Sequence, residues 1–418
     1  MSYYEALNGY GEDFRAEVLG ALRDISLDSN IYSLALEENV TRISLLRDVS
    51  VTSVEGQFRR LAQGDIKLTP YNFSYQYPRN TRNSGLEITL SFNVIPKSNP
   101  PTNIHVIIGR NGVGKTHLFN NIISALLNGN KPGSKFGSIL NADGRTAEIF
   151  ANLVSVSFSA FDETNPIDEK RDKTKYLNYS YIGLKRPMKD NVKLVPKSPT
   201  ILKNEFVKSV EKCMLGAKNS RWLNALEMLE TDPIFSEAEV SKIAKLSIDE
   251  EFKELSANIF NKLSSGHKIV LLTITRLVET IEERSLVLLD EPEGYLHPPL
   301  LSAFIRALSD LLVKRNAVAI IGTHSPVVLQ EVPRSCVWKL RRGGSSAKAE
   351  RLDIESFGEN VGVLTQEVFG LEVTDSGFHR ILKKLAENVD DYKQAMEEVD
   401  NQLGMEAKAI LRNLLYKN

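Results

Sequence analysis

The feature that most restricts the fold of this chain is one short stretch. Gly109-Arg110-Asn111-Gly112-Val113-Gly114-Lys115-Thr116 follows directly on the apolar run IHVII (104–108). It fits the pattern G-x-x-x-x-G-K-[ST]. The glycines let successive backbone N–H groups converge on phosphate oxygens, and a helix starting there adds positive potential. Lys115 supplies a mobile cation for the β- and γ-phosphates, and Thr116 offers a hydroxyl to Mg²⁺. The loop takes this shape between a strand and a helix. HLFNNIISALLNG (117–129) supplies the helix, with Gly129 to end it and Pro132 just beyond.

A second run, Leu286-Val287-Leu288-Leu289, is too continuously apolar for a half-exposed strand and predicts the centre of a parallel sheet. Asp290 and Glu291 follow at its carboxyl end, where open α/β sheets bind ligands. Asp290 is the expected Mg²⁺-linked carboxylate, and Glu291 the group that polarises an attacking water. A third apolar segment (Val318, Ile320, Ile321) ends in Thr323-His324-Ser325-Pro326. His324 is there either to hydrogen-bond a γ-phosphate or as a satisfied structural histidine.

Composition narrows the class. The 418 residues carry a net charge of -1 and are 42% hydrophobic, as expected of an ordinary globular protein rather than a polyanion sleeve. Cys213 and Cys336 are the only cysteines, so no disulfide framework is expected, and no Cys/His cluster has metal-ligand spacing. MSYYEALNGYGEDF at the start has acids where a secretory signal needs an apolar core. No apolar run approaches the roughly 18 to 20 residues that span a bilayer. A cytoplasmic, reduced protein with no membrane partner is the expectation.

The pattern divides the chain into an N-terminal β-rich lobe (1–103), a nucleotide-binding core (104–161 and 263–345), an inserted basic segment with a helical lobe (162–262), and a C-terminal helical region (346–418). In the first lobe, LEITLSFNVI (86–95) alternates as a half-buried strand, AEVLGALRDI (16–25) has helical spacing, and SLLRDVSVTSV (44–54) reads as core. LVSVSFSAF (153–161) predicts another strand. In 166–203, ten Lys/Arg stand against four Asp/Glu, with Tyr176, Tyr179 and Tyr181 interleaved. Lys170, Arg171, Lys173, Lys175, Lys185 and Arg186 could meet nucleic-acid phosphates while the tyrosines stack on bases; the alternative is a solvated charged loop.

Leu263-Ser264-Ser265-Gly266-His267 resembles the ABC signature motif LSGGQ, with a serine and a histidine substituted. P-loop, signature, acidic strand end and terminal histidine follow in the ABC order, a resemblance covering roughly 85 to 345. It implies an α/β P-loop NTPase fold of ABC-ATPase type, a mixed sheet flanked by helices, with a helical lobe and a basic insertion. It further implies ATP and Mg²⁺, and dimerisation around ATP, in which Ser264, Ser265 and Gly266 meet the γ-phosphate held by the other copy. A plain helix N-cap at Ser264 or Ser265 is compatible with both. Two departures stand out. His297, in Glu293-Gly294-Tyr295-Leu296-His297-Pro298, sits where transporter members carry an aspartate. No glutamine occurs between Gln76 and Gln330, leaving Ser159 or Asp162 to replace the Q-loop residue.

The LHP and THSP endings look more like the OLD, RecF and related soluble ATPases. More narrowly, SLLRDVS, VSFSAFD and FGENVGVLTQEVFGLEVTDSGFH (357–379) resemble the bacterial anti-phage Septu-type (PtuA-like) ATPases found beside HNH nucleases. That resemblance implies a homodimeric or higher even-numbered regulatory ATPase controlling a partner nuclease. Only about ninety residues follow His324, with no D-x-D pair and no HNH-like cluster, which supports a separate effector. The alternative is a recombination or repair ATPase that clamps DNA or RNA. A transporter subunit and a non-hydrolysing scaffold are the weaker readings.

Overall fold

The computed structural model describes every residue except 1, 47–48, 50–52, 65–67, 69, 79–87, 129, 132, 147–148, 159–176, 187–194, 247–249, 344–345, 371–376, 390 and 417–418. In chain order its strands are β1 (Tyr71–Gln76), β2 (Thr89–Val94), β3 (Ile104–Ile108), β4 (Ser138–Asn141), β5 (Asn152–Ser157), β6 (Asn178–Gly183), β7 (Lys185–Arg186), β8 (Val195–Pro196), β9 (Ser285–Asp290), β10 (Val318–Thr323), β11 (Val337–Gly343) and β12 (Ser346–Glu350).

The apolar runs singled out above lie side by side. The central sheet has the order β12-β11-β3-β10-β9-β5-β6. Its neighbours are parallel except at the β11/β12 edge, which is antiparallel, so the sheet is mixed. Every residue of β3, β9 and β10 is buried, as a strand covered on both faces requires. The register is flush at the carboxyl ends: Thr323 pairs with Ile108, and Asp290 with both Gly322 and Ser157. β10 therefore stands between the strand that leads into the phosphate loop and the strand that delivers the two acids.

Alternate side chains feed two cores. On one face, Val106, Val154, Val287, Leu289 and Ile321 pack with the helical lobe. That lobe comprises helices Pro199–Cys213, Ala217–Leu229, Pro233–Ala238 and Glu250–Lys262. On the other face, Ile107, Leu153, Leu288 and Ile320 pack with helix Lys115–Leu127 and a small antiparallel sheet, β2-β1-β4. The alternation read in LEITLSFNVI is realised in β2, where Leu90, Phe92 and Val94 point inward; residues 86 and 87 lie outside the described residues.

The lobe grips helix Ser265–Thr280 near its carboxyl end. Trp222, fully buried, donates its ring N–H to Thr275 Oγ1 at 3.1 Å, and Cys213 Sγ reaches the Thr275 carbonyl at 3.2 Å. Ser209 and Lys212 donate to the Glu279 carboxylate at 2.7 and 2.6 Å, and Lys218 to its carbonyl at 2.8 Å. Burial opposes ionisation of Glu279, but Lys212, Arg276 and Ser209 outweigh it and hold the carboxyl below its ordinary range.

Two expectations are corrected. The N-terminal lobe is not β-rich throughout: helices Ser2–Gly9, Glu12–Ala21, Ser29–Glu37 and Arg59–Ala62 precede β1. Of the SLLRDVSVTSV segment, Leu46 and Val54 are core while Leu45 is exposed, and 47–48 and 50–52 lie outside the described residues. The basic segment is also not wholly an insertion. β6 is a strand of the main sheet, parallel to β5, because Tyr179 and Ile182 supply apolar side chains that its edge position can bury.

The carboxyl-terminal helices Gly377–Asn388, Tyr392–Glu398 and Met405–Leu415 form a small core of their own around Leu382, Leu385, Met396 and Leu411.

Candidate functional site

The phosphate loop leaves β3 at Gly109, whose N–H donates to the Thr323 carbonyl at 3.3 Å. Gly109 is required for packing: a Cβ there would stand 2.6 Å from the Leu340 carbonyl oxygen of β11. Gly112 (φ 81°) and Gly114 (φ 103°) are required for conformation, since both occupy the left-handed region. A Cβ at either would meet nothing within 4 Å, so the loop borders open space of the kind a phosphate chain fills. Arg110, Asn111 and Val113 lie between these turns, and the Val113 N–H donates to the Arg110 carbonyl at 3.4 Å.

Lys115 and Thr116 open the following helix and face the carboxyl end of β9. The Lys115 ammonium is buried, donates to the Gly109 and Arg110 carbonyls at 3.0 and 3.2 Å, and lies 3.5 Å from Glu291 Oε1. Thr116 Oγ1 donates to Asp290 Oδ2 at 2.6 Å. The two groups expected to hold Mg²⁺ are thus already side by side, a hydroxyl and a carboxylate of the hard-oxygen kind that Mg²⁺ prefers. Gly322 of β10 makes room for this contact; a Cβ there would lie 3.2 Å from Asp290 Oδ1 and 3.0 Å from the Phe119 ring.

Glu291 has left-handed backbone angles (φ 48°, ψ 58°), a conformation that costs a non-glycine residue roughly 1 to 3 kcal/mol. Its N–H donates to the Gly322 carbonyl at 2.8 Å, which pins the turn and leaves the carboxylate partly exposed above the sheet. His324 Nδ1 lies 3.7 Å from Glu291 Oε1 and 3.1 Å from Glu293 Oε1. Lys115, Glu291 and His324 are therefore brought together above the carboxyl ends of the strands.

Glu293 is the residue that sequence reasoning missed. Its side chain is only 8% exposed, and its Oε1 also accepts from Thr323 Oγ1 at 2.5 Å and from the His324 N–H at 2.7 Å. It ties the end of β10 to the loop after β9. The acidic triplet Asp290, Glu291, Glu293 was its one signal in the sequence.

Ser264, Ser265 and Gly266 form the first turn of helix Ser265–Thr280. Ser264 is its N-cap, with Oγ accepting from the His267 N–H at 3.5 Å, so the plain capping role is real. Ser264 and Ser265 are exposed, while Gly266 is buried against the loop 292–297: a Cβ there would meet the Tyr295 carbonyl at 2.7 Å.

The nucleic-acid features fare differently. Tyr179 is a core residue and Lys185 is buried, so neither offers a face to nucleic acid. Tyr181 is half-buried against the second core. Lys170, Arg171, Lys173, Lys175 and Tyr176, and the Q-loop candidates Ser159 and Asp162, lie outside the described residues, as does the side chain of Arg186. Among the described residues no helix is long and apolar enough to cross a membrane.

A family profile described as "AAA domain, putative AbiEii toxin, Type IV TA system" matches residues 195–330, which span the helical lobe, the signature turn, both acids and His324. Protein ea59 of Escherichia phage lambda is 41% identical over 438 residues, a match that takes in 99% of this chain and 82% of that protein. Among solved structures, the chain is similar to the ADP conformation of MJ1267, an ATP-binding cassette of an ABC transporter. That similarity is at 14% identity and a TM-score of 0.36, over 74% of this chain and 100% of that one. The cbiO1 protein from Clostridium perfringens, part of an ABC transporter complex, is similar at 17% identity and a TM-score of 0.34, over 79% and 100%.

Proposed function

The chain belongs to the family of the phage lambda protein ea59, and from that premise we propose that it binds and hydrolyses ATP between two copies of itself. At the coarser level it is an ATPase of the AAA/ABC type. The observation that carries the finer reading is the cluster at the carboxyl ends of β3, β9 and β10. Thr116 meets Asp290, Lys115 meets Glu291, and His324, at the end of β10, stands beside Glu291 and Glu293 of the loop after β9.

Each group has a chemical task. Backbone N–H groups of 109–116 and the Lys115 ammonium neutralise phosphate charge. Thr116 and Asp290 would hold Mg²⁺, which when bound supplies Lewis-acid polarisation of the phosphoryl oxygens. Glu291 accepts a proton from the attacking water, and its strained backbone fixes where that proton is taken. His324, oriented by Glu293, hydrogen-bonds the terminal phosphate. The two exposed serines of the signature turn reach the phosphate of the twin's ATP.

Glu291→Gln tests this reading. With ATP and Mg²⁺ that variant accumulates a stable dimer, seen by mass photometry, while the parent protein cycles and does not. Turnover by Glu291→Gln at the parent rate removes Glu291 as the base. Equal turnover by a chain held monomeric at high dilution removes the shared site.

As to biological role, we infer an ATP-gated regulator of a partner, with a nuclease as the expected partner and defence against phage as the expected setting. That inference rests on the Septu-type resemblance, and kinship with a protein of phage lambda agrees with a setting in phage biology. The DNA-clamp alternative has lost Tyr179 and Lys185 as contacts. Affinity purification from the native operon distinguishes the two: a co-eluting nuclease whose activity responds to ATP supports the regulator, and salt-sensitive, ATP-dependent DNA binding by the chain alone supports the clamp.

A further inference from the structure

Behind the signature turn runs a hydrogen-bonded chain that ATP sharing as described above does not use. Ser264 Oγ lies 2.6 Å from His267 Nδ1, and His267 Nε2 lies 3.0 Å from Asp232 Oδ1. Ser264 is at the surface, whereas His267 and Asp232 are 2% and 5% exposed. Thirty-five residues separate Asp232 from His267 in sequence. The helical lobe brings them together: Asp232 caps helix Pro233–Ala238, its Oδ1 accepting from the N–H groups of Ile234 and Phe235 at 3.0 and 3.4 Å. The carboxylate is therefore fixed. The Phe235 ring packs edge-on against His267 at 4.9 Å between centroids.

His297, from the loop after β9, approaches the same carboxylate, with Nε2 4.0 Å from Asp232 Oδ2. Ligand atoms of Asp232, His267 and His297 all lie within 4.8 Å of one another, the spacing of a metal site. The tautomers argue otherwise. His297 Nδ1 accepts from the Leu300 N–H at 3.3 Å, so in the neutral ring Nε2 carries the proton. His267 Nε2 likewise carries a proton, because its partner is a carboxylate. Two ring N–H groups converge on one anion, and neither nitrogen presents a lone pair to a cation.

The consequence lies at the other nitrogen of His267. With a neutral ring, Nδ1 is an acceptor and takes the Ser264 hydroxyl proton, so the serine turns lone pairs outward. With a second proton on the ring, Nδ1–H donates to Ser264 Oγ and releases the hydroxyl to point outward as a donor. A phosphate oxygen is itself an acceptor, so only the second arrangement grips it. We propose that Asp232 and His267 are positioning residues that set the direction of the Ser264 hydroxyl, so that the signature serine holds the twin's terminal phosphate when His267 takes up a proton from solvent. The proposal rests on the reading that Ser264 meets the other copy's ATP. Among the described residues, the charged or titratable groups that face His267 are Asp232, from the turn before Pro233, and His297, from the loop after β9. Phe235, which packs on the ring, is neutral. Phosphate release returns the proton to solvent, so the cycle balances.

The test uses the full chain carrying Glu291→Gln, so that hydrolysis does not interfere. The ATP concentration giving half-maximal dimer is measured by mass photometry from pH about 5.5 to 8.5, the range in which histidines change charge. Calorimetry in two buffers of different ionisation heat counts the protons taken up. The expected result is tighter ATP-driven dimerisation at low pH, with proton uptake. Adding His267→Gln makes the profile flat and removes the uptake, because an amide cannot titrate. Ser264→Ala flattens the profile too and weakens dimerisation on the order of tenfold to a hundredfold, the worth of hydrogen bonds to a charged group. Ser264→Thr, which keeps the hydroxyl, retains the slope. Asp232→Asn preserves the helix cap, since Asn caps as well as Asp, and changes the pH profile by removing the anion that faces His267. An unchanged profile in His267→Gln, with dimerisation intact, overturns the relay alone. Absence of an ATP-driven dimer at every pH overturns the shared site, and the relay with it.

Discussion

Glu293→Ala is the most informative single substitution, because it removes no group assigned to touch ATP. Glu293 Oε1 accepts from Thr323 Oγ1 at 2.5 Å and from the His324 N–H at 2.7 Å, and lies 3.1 Å from His324 Nδ1. Hydrogen bonds to a charged acceptor contribute about 1.5 to 3 kcal/mol each. The His324 side chain is 41% exposed, so water replaces part of what is lost at its ring. The backbone contact at the end of β10 has no such substitute. Assigning about 1.5 to 3 kcal/mol to the misplacement of His324 lowers kcat on the order of tenfold to a hundredfold. Since Lys115, Thr116 and the loop glycines are untouched, KM for ATP changes by less than about threefold. Glu293→Gln keeps an oxygen acceptor and loses only the charge, so its kcat falls less. Phosphate release followed against ATP concentration separates the two parameters. If Glu293→Ala retains kcat within about twofold while His324→Ala loses it, Glu293 does not orient the histidine.

Other expectations can be checked independently. His105, buried in β3 between Asn93 and Phe92, is held neutral, its pKa pushed down to about 3 by burial and secondarily by the Arg351 charge. A base depressed on folding contributes stability that is complete above its unfolded value near 6.5 and is lost as pH falls toward 3, at about 1.4 kcal/mol per pH unit. Denaturant melts of His105→Gln have a shallower acid limb than the parent; equal limbs would refute the assignment. Gly109→Ala, which puts a Cβ 2.6 Å from the Leu340 carbonyl, costs about 1 to 3 kcal/mol of stability and most ATP binding, and a variant that melts and binds like the parent removes that packing argument. Burial pushes the Cys213 thiol up to about 12 and Cys336 up to about 11, so neither reacts with iodoacetamide at pH 8 until the chain unfolds. Rapid labelling of the folded protein at either position contradicts that.

The parts of this molecule that were readable from its sequence are those whose cause is local. The phosphate loop, the buried runs of β3, β9 and β10, and the cap at Ser264 are written within a few consecutive residues. Glu291 and His324 follow from standing at strand ends. What escaped depends on partners distant in the chain. Glu293 matters because β10 lies beside β9, and Gly322 because Asp290 and Phe119 press against it from two other elements. Asp232 caps helix Pro233–Ala238 through contacts within three residues, but its second role needs His267 beside it. β6 was hidden in a basic, tyrosine-rich stretch because an edge strand buries only part of its surface, so its few apolar residues make no run.

The helix Ser265–Thr280 is held like a beam that the helical lobe grips at both ends. Its carboxyl clamp is the set of contacts from Ser209, Cys213, Lys218 and Trp222 to Thr275 and Glu279; at the other end Asp232 and Phe235 of the same lobe meet His267, beside the tip Ser264. Sixteen residues of α-helix span about 24 Å, so each degree of tilt at the clamp carries the tip about 0.4 Å. The comfortable range of a hydrogen-bond length is only about 0.5 Å. On the shared-site proposal, rocking the helical lobe by about two or three degrees, which carries Ser264 by about 1 Å, is therefore enough to break its hydrogen bond to the twin's nucleotide without touching the phosphate loop.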